Sequence, residues 1–185
     1  HGTNRRQRQM CIRDRSFSSG CVRIRRKAMN TLAPEIIVSL NKVLKNELTA
    51  INQYFLHSKM LTDWGLEKLG KYEMDESIDE MKHADELIAR ILFLKGLPNL
   101  QDLGHLKIGE NIVELLEGDL SLEMDALVDL REGITLCDEH KDFVTKNLLE
   151  GILRSEEEHV DWLETQLGLI ERTGEQNYVQ SQMAA

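Results

Sequence analysis

The chain has 185 residues, 41% of them hydrophobic and 30% charged, which is enough for one domain with a buried core. Aromatics make up 5%, prolines number two, and no apolar run reaches membrane-span length. These features count against an all-β fold and a membrane protein and leave room for long unbroken helices. The net charge of −9 hides a split: residues 1–28 carry nine basic residues against the single acid Asp14, so the remainder is more acidic than the whole. An acidic domain attracts cations and repels nucleic acid.

Residues 1–28 have neither a helical nor an alternating apolar period; they open on His, and Met29 follows them. The plainest reading is a basic extension outside the domain, an upstream remnant or tag, with the domain over residues 29–185. An acid-poor targeting segment and a basic arm for nucleic acid are the alternatives. Cys11, Cys21 and Cys137 form no spaced metal motif and no disulfide framework, which fits a reducing, cytoplasmic setting.

A first helix is predicted from Pro34 to Thr62, with Leu40, Val43, Leu44, Ile51 and Tyr54 on one face. Trp64-Gly65 interrupts it. A second runs from Leu66 to Lys95 on the stripe Leu69, Leu87, Ile91, Leu94, and Gly96 and Pro98 stop it. Residues 96–110 form a long connection. Asn111 then caps a third helix, with Glu114 placed as in a capping box, on the stripe Ile112, Leu116, Leu127, Leu130, Ile134. The polar run 137–142 is a weaker break before a fourth helix bearing Leu149, Ile152, Leu163 and Leu167, which ends near Gly174; residues 175–183 suit one short extra helix. Long helices joined by two short links and one long one predict an all-α four-helix bundle with a crossover between helices 2 and 3.

Each stripe carries an acid where an apolar residue belongs. Glu47 lies four residues before Ile51, Glu80 seven before Leu87, Glu123 four before Leu127, and Glu156 four after Ile152. Helical spacing puts all four on the core side. Four unpaired buried carboxylates would protonate or unfold the bundle, and no Lys or Arg shares their levels. Two divalent ions would balance them. His83 and His159 follow Glu80 and Glu156 at i+3, so each pair converges on one point, and a shift of 76 residues maps Glu47, Glu80, His83 onto Glu123, Glu156, His159. One Glu-x-x-His is weak evidence. Two pairs with two lone glutamates at equal offsets match the known ligand pattern of di-iron carboxylate bundles, and oxygen donors with a few imidazoles suit iron or manganese.

The segments "NKVLKNELTAINQYFLH" (41–57), "WGLEKL" (64–69), "ESIDEMKHADELIARILFLKGLPNLQDLG" (76–104) and "ILRSEEEHVDWLETQL" (152–167) closely resemble bacterioferritin. The resemblance spans about residues 29–180. It implies a ferritin-like bundle in a homo-oligomeric twenty-four-subunit shell that oxidises Fe2+ with O2 or H2O2 at an intrasubunit di-iron centre and deposits ferric mineral. By position, the implied ligands and catalytic residues are Glu47, Glu80, His83, Glu123, Glu156 and His159, with Glu80 and Glu156 bridging. The resemblance also makes Met81 an axial ligand of haem b at a twofold subunit interface, with Asn52, Phe55, Ile78 and Lys82 as neighbours. One residue beyond an inward Glu80, Met81 points outward; read from the residues alone, such a methionine packs an interface.

Tyr54 shares a face with Glu47 and reads either as a packed core tyrosine or as a partner of the ligands. Asp75 and Asp79 read as cavity-facing acids able to hold transit iron, Asp79 also as a neighbour of the ligands, although some relatives have histidine at the position of Asp75. Trp64, Trp162 and Cys137 read as packing residues, and His57, His105 and His140 as surface or loop residues. A reductase or ferredoxin is an implied partner for iron release; nucleic acid and membrane are not. The rival readings are a haem-free ferritin in which Met81 only packs, a non-storing di-iron peroxidase or oxygenase, and a DNA-coating miniferritin, the last opposed by the doubled Glu-x-x-His.

Overall fold

A computed structural model describes residues 34–183 of the chain. The basic segment 1–28, with Cys11 and Cys21, lies outside the described residues. Five helices follow in order: α1 (Pro34–Asp63), α2 (Glu67–Phe93), α3 (Ile112–Glu139), α4 (Phe143–Thr173) and α5 (Glu175–Gln182). None of them is long and apolar enough to cross a membrane.

The helix ends show why the chain turns where it does. After α1, Gly65 takes φ 82°, the Leu66 N–H bonds back to the Leu61 carbonyl at 2.8 Å, and the Gly65 N–H bonds to that of Thr62 at 3.0 Å. This paired closure satisfies carbonyls the helix leaves open. The same closure ends α2, but with a difference from the sequence expectation. Lys95, not Gly96, occupies the left-handed region at φ 66°, and the Gly96 N–H bonds to the Ile91 carbonyl at 2.9 Å. Gly96 is small for another reason: a Cβ there would lie 2.7 Å from Ile37 Cγ2. Lys141, at φ 57°, closes α3 in the same way, with the Asp142 N–H on the Cys137 carbonyl. Asp142 then caps α4, accepting the Thr145 N–H at 3.1 Å, and is itself held by Arg90 at 2.7 Å. At the start of α3, Asn111 Oδ1 accepts the Glu114 N–H at 3.0 Å as predicted, but the Glu114 carboxylate reaches back to the Glu110 N–H instead of that of Asn111.

Cross-helix bonds fix the topology. Ser77 donates to the Ile51 carbonyl while His83 meets Glu47, so α1 and α2 are antiparallel. Gln53 meets Asp119, Asn46 meets Asp129 and Lys42 meets Glu132, so α1 and α3 are antiparallel too. Helices α2 and α3 are therefore parallel, and the connection at 94–111 must travel along the bundle. It is pinned to α1 on the way: the N–H groups of Asn99, Gly104 and Lys107 donate to Asn41 Oδ1, Thr49 Oγ1 and Gln53 Oε1 at 2.7, 2.8 and 2.7 Å. Helix α5 folds back so that the Tyr178 hydroxyl donates to Gln166 at 2.9 Å.

The apolar core is in two pieces. Ile36, Leu40, Leu44, Leu87, Leu130 and Leu149 fill one end, and Leu61, Leu69, Leu116, Leu163 and Tyr178 fill the other. Each fully buried Leu contributes roughly 2 kcal/mol. Between the two pieces, the small buried group Ala50, Tyr54, Leu122 is joined by carboxylates. Ile51, Ile134 and Leu167 of the predicted stripes are only partly buried and pack at the margins.

Candidate metal centre

The middle layer collects one or two polar side chains from each long helix: Glu47 from α1, Glu80 and His83 from α2, Glu123 from α3, Glu156 and His159 from α4. The four glutamates are each 2% exposed and His159 is 3% exposed; His83 is mostly buried. Ligand-capable atoms of Glu47, Glu80, His83 and Glu156 lie within 4.8 Å of one another, and so do those of Glu80, Glu123, Glu156 and His159. The two groups share Glu80 and Glu156.

His83 Nδ1 stands 3.1 Å from Glu80 Oε2, 3.2 Å from Glu156 Oε1 and 3.4 Å from Glu47 Oε2. His159 Nδ1 is 3.0 Å from Glu123 Oε1, and the Tyr54 hydroxyl donates to that same oxygen. Several atoms remain without a hydrogen bond: both oxygens of Glu47, Oε1 of Glu156 and Nε2 of His159. Buried polar atoms are rarely left so, and unbonded oxygens of Glu47 and Glu156 beside one another are what a cation satisfies, whereas His159 turns Nδ1, not Nε2, toward Glu123. A cavity of about 10 Å³, the size of one small ion or water, opens between Glu47, Glu80, Glu123 and Glu156, with Asn46, Ala50, Leu122 and Ala126 on its wall.

The electrostatics agree with the geometry. Burial raises the pKa of Glu47, and burial together with Glu47 pushes that of Glu80 well above the carboxylate range; burial and then Glu80 do the same to Glu156. Burial works against charge on His83 and His159, but their carboxylate neighbours outweigh it. Glu156, Glu47 and Glu80 raise His83, and Glu123 raises His159 to about 8. Each of these shifts favours the protonated form of its group.

The other sequence candidates fall as follows. Met81 is 50% exposed while neighbouring Glu80 is buried, so the outward orientation holds. Ile78, one turn earlier on the same helix, and Phe55 on α1 are exposed too. Asp79 lies at the rim of an open pocket with Tyr72, Glu76, Glu158, Asp161 and Trp162, and its carboxylate pairs with Lys82, with no hydrogen bond to a cluster residue. The acid beside His159 from that side is Glu76, at 4.0 Å. Asp75 pairs with Lys71. Trp162 stacks on Tyr72 with ring centroids 3.6 Å apart, and Cys137 is buried. The surface reading of His57 is overturned: the ring is fully buried and its Nδ1 sits 2.9 Å from Asp119. No i+3 partner on its own helix announces it. The available signal is that Asp119 and Glu73 precede Glu123 and Glu80 by four and seven residues on the same stripes.

A family profile described as Ferritin-like domain matches residues 37–173. Among characterised proteins, the chain is 50% identical over 145 residues to a bacterioferritin of Mycobacterium bovis, covering 78% of this chain and 91% of the relative. It is 49% identical over 147 residues to a bacterioferritin of Brucella melitensis, covering 80% and 91%. A bacterioferritin of Streptomyces coelicolor is 49% identical over 146 residues, covering 79% and 87%.

Proposed function

The chain belongs to the bacterioferritins within the ferritin-like family, and from that premise we propose that it stores iron and oxidises Fe2+ within each subunit. The observation that carries this reading is the pair of overlapping four-residue groups sharing Glu80 and Glu156, with Glu47 and Glu156 oxygens buried and unbonded. Fe2+ is the substrate. One ion is held by Glu47 and His83, the other by Glu123 and His159, and Glu80 and Glu156 serve both. Oxygen-rich donors with one imidazole per ion suit iron. The two Fe2+ ions together give up two electrons, which with two protons reduce O2 to H2O2 or H2O2 to two waters, and the Fe3+ passes to mineral.

The chain's own groups prepare this step. The carboxylates and imidazoles release their protons when Fe2+ enters, so binding strengthens with pH. The Tyr54 hydroxyl holds Glu123 Oε1, fixing one ligand before an ion arrives. The two apolar end clusters flank the layer along the bundle. The acid-lined rim with Glu76, Asp79, Glu158 and Asp161 supports local concentration of cations beside His159.

Haem b fits the outward α2 face. Met81 offers a soft, neutral thioether, free and half exposed, with apolar Ile78 and Phe55 also exposed. One methionine from each of two subunits would hold the haem at a twofold interface of a homo-oligomeric twenty-four-subunit shell, and bound haem would supply an electron path between mineral and an external reductase or ferredoxin. We place the assembly in the cytoplasm, with residues 29–185 as its domain and residues 1–28 as an extension that folding does not need.

Three measurements test the reading. A Glu80→Ala, His83→Ala variant should assemble normally and lose rapid Fe2+ oxidation in stopped-flow absorbance; unchanged kinetics would contradict the site. Met81→Leu should remove the visible haem bands and leave oxidation intact. Iron retained per particle separates storage from a peroxidase or oxygenase that stops at its site stoichiometry.

A further inference from the structure

A second polar cluster is buried in the bundle beyond the first. His57 on α1, Glu73 on α2 and Asp119 on α3 are each 0% exposed, and one ligand-capable atom from each lies within 4.8 Å of the other two. Along α3, Asp119 is one turn from Glu123, a rise of about 6 Å, so the two clusters are neighbours.

The hydrogen bonds within it are unevenly spread. The two Asp119 oxygens lie 2.9 and 3.0 Å from His57 Nδ1, and Gln53 Nε2 donates to Asp119 Oδ1 at 2.8 Å. By contrast, both oxygens of Glu73 and Nε2 of His57 have no hydrogen-bond partner. No lysine or arginine pairs with Glu73 or Asp119 among the described residues. A fully buried carboxylate with neither oxygen bonded carries a large desolvation penalty, and nothing in the first centre requires one here. Meanwhile Nδ1 of His57 faces Asp119, and Nε2, on the opposite side of the ring, is the nitrogen left without a partner. That is the orientation in which histidine binds a metal with a carboxylate behind it.

We propose that His57 Nε2 and the Glu73 carboxylate form a third metal site in each subunit, taking one divalent transition ion, with Asp119 orienting the imidazole from behind the ring. A divalent ion balances the two carboxylates, and the imidazole–carboxylate donor set accepts Fe2+ or Zn2+. The site is distinct from the paired centre, since the two share no residue.

The test uses the full assembled protein, stripped with chelator and loaded with Zn2+, which neither oxidises nor mineralises. Metal per subunit is measured, and zinc is located by anomalous diffraction. The expected result is a peak between His57 and Glu73 in addition to those at the paired centre. A Glu73→Gln variant, isosteric and relieved of a buried charge, should lose that peak and one zinc per subunit while keeping the others. A Glu80→Ala, Glu123→Ala variant should retain the His57 peak. Occupied paired sites with no density at His57, or unchanged stoichiometry and density in Glu73→Gln, would overturn the proposal. Density at His57 with an empty paired centre would uphold it while counting against the proposed oxidation site, so the two readings fail separately.

Discussion

Glu47 is a side chain whose surroundings call for a cation. It is 2% exposed, neither oxygen has a hydrogen bond, and burial raises its pKa against the opposing influence of Glu80 and His83. Glu47→Gln keeps the shape and removes the charge. At pH 8, where a charged carboxylate in this position is costly, the metal-free variant should be more stable than the parent, read as a higher urea midpoint. Its Fe2+ oxidation should fall roughly 10–100-fold or more, as when a metal's supporting groups are lost. Stability and activity thus move in opposite directions; a lower midpoint with oxidation retained would contradict this role. The gathering of Glu47 with Glu80, His83, Glu123, Glu156 and His159 was legible in the sequence because acids interrupting apolar stripes are anomalous and each Glu-x-x-His pair points at one place. His57 was not, because its partners Asp119 and Glu73 come singly from other helices. Asp79 pairs with Lys82, a contact that periodicity does not reveal, because it places a residue on a face without saying which neighbour engages it first.

At the level of the helices, the conspicuous feature is that two lysines do work usually left to glycine. Lys95 and Lys141 sit at φ 66° and 57°, closing α2 and α3. A left-handed backbone costs a residue with a Cβ roughly 1–2 kcal/mol, part of which glycine returns through its freer unfolded chain. Lys95→Gly and Lys141→Gly should each stabilise the protein by about 0.5–1 kcal/mol, and because the sites are at different turns the double variant should be close to additive. Urea midpoints that fall would mean the lysine side chains hold more than the backbone strain costs. The stops themselves were legible from Gly96 and Pro98, as were the Asn111 cap and the short last helix. Which residue of the stop turns left-handed was not, because Gly96 answers to Ile37 of α1, a tertiary neighbour that local sequence does not reveal. The capping box failed in the same way: Glu114 finds the Glu110 N–H, presented by a loop whose path is set by its bonds to α1.

For the whole molecule, the divided core makes stability depend on what fills the middle. The end clusters favour folding, and the layer between them opposes it while its acids are charged. Glu47, Glu80, Glu156, Glu73 and Asp119 all have raised pKa values, burial being the main cause in each. His83 and His159 are raised as well, by the carboxylates around them. All these shifts act with one sign. Between its ordinary and its raised pKa, each group binds more protons in the folded protein than in the unfolded chain, so stability falls as pH rises. For the glutamates the fall begins above their ordinary value of 4.5, and for His159 it runs from 6.5 to about 8. Metal ions displace those protons and bind more tightly at higher pH, which reverses the slope. Chelator-stripped protein should therefore melt at progressively lower temperature from about pH 5 to pH 8, whereas protein loaded with Zn2+ should hold level or rise over the same interval, in calorimetry at constant ionic strength. Parallel slopes for the two forms would mean that the titrating groups are not the ones metal ions contact, and that the acids of the middle layer are stabilised by something within the protein itself.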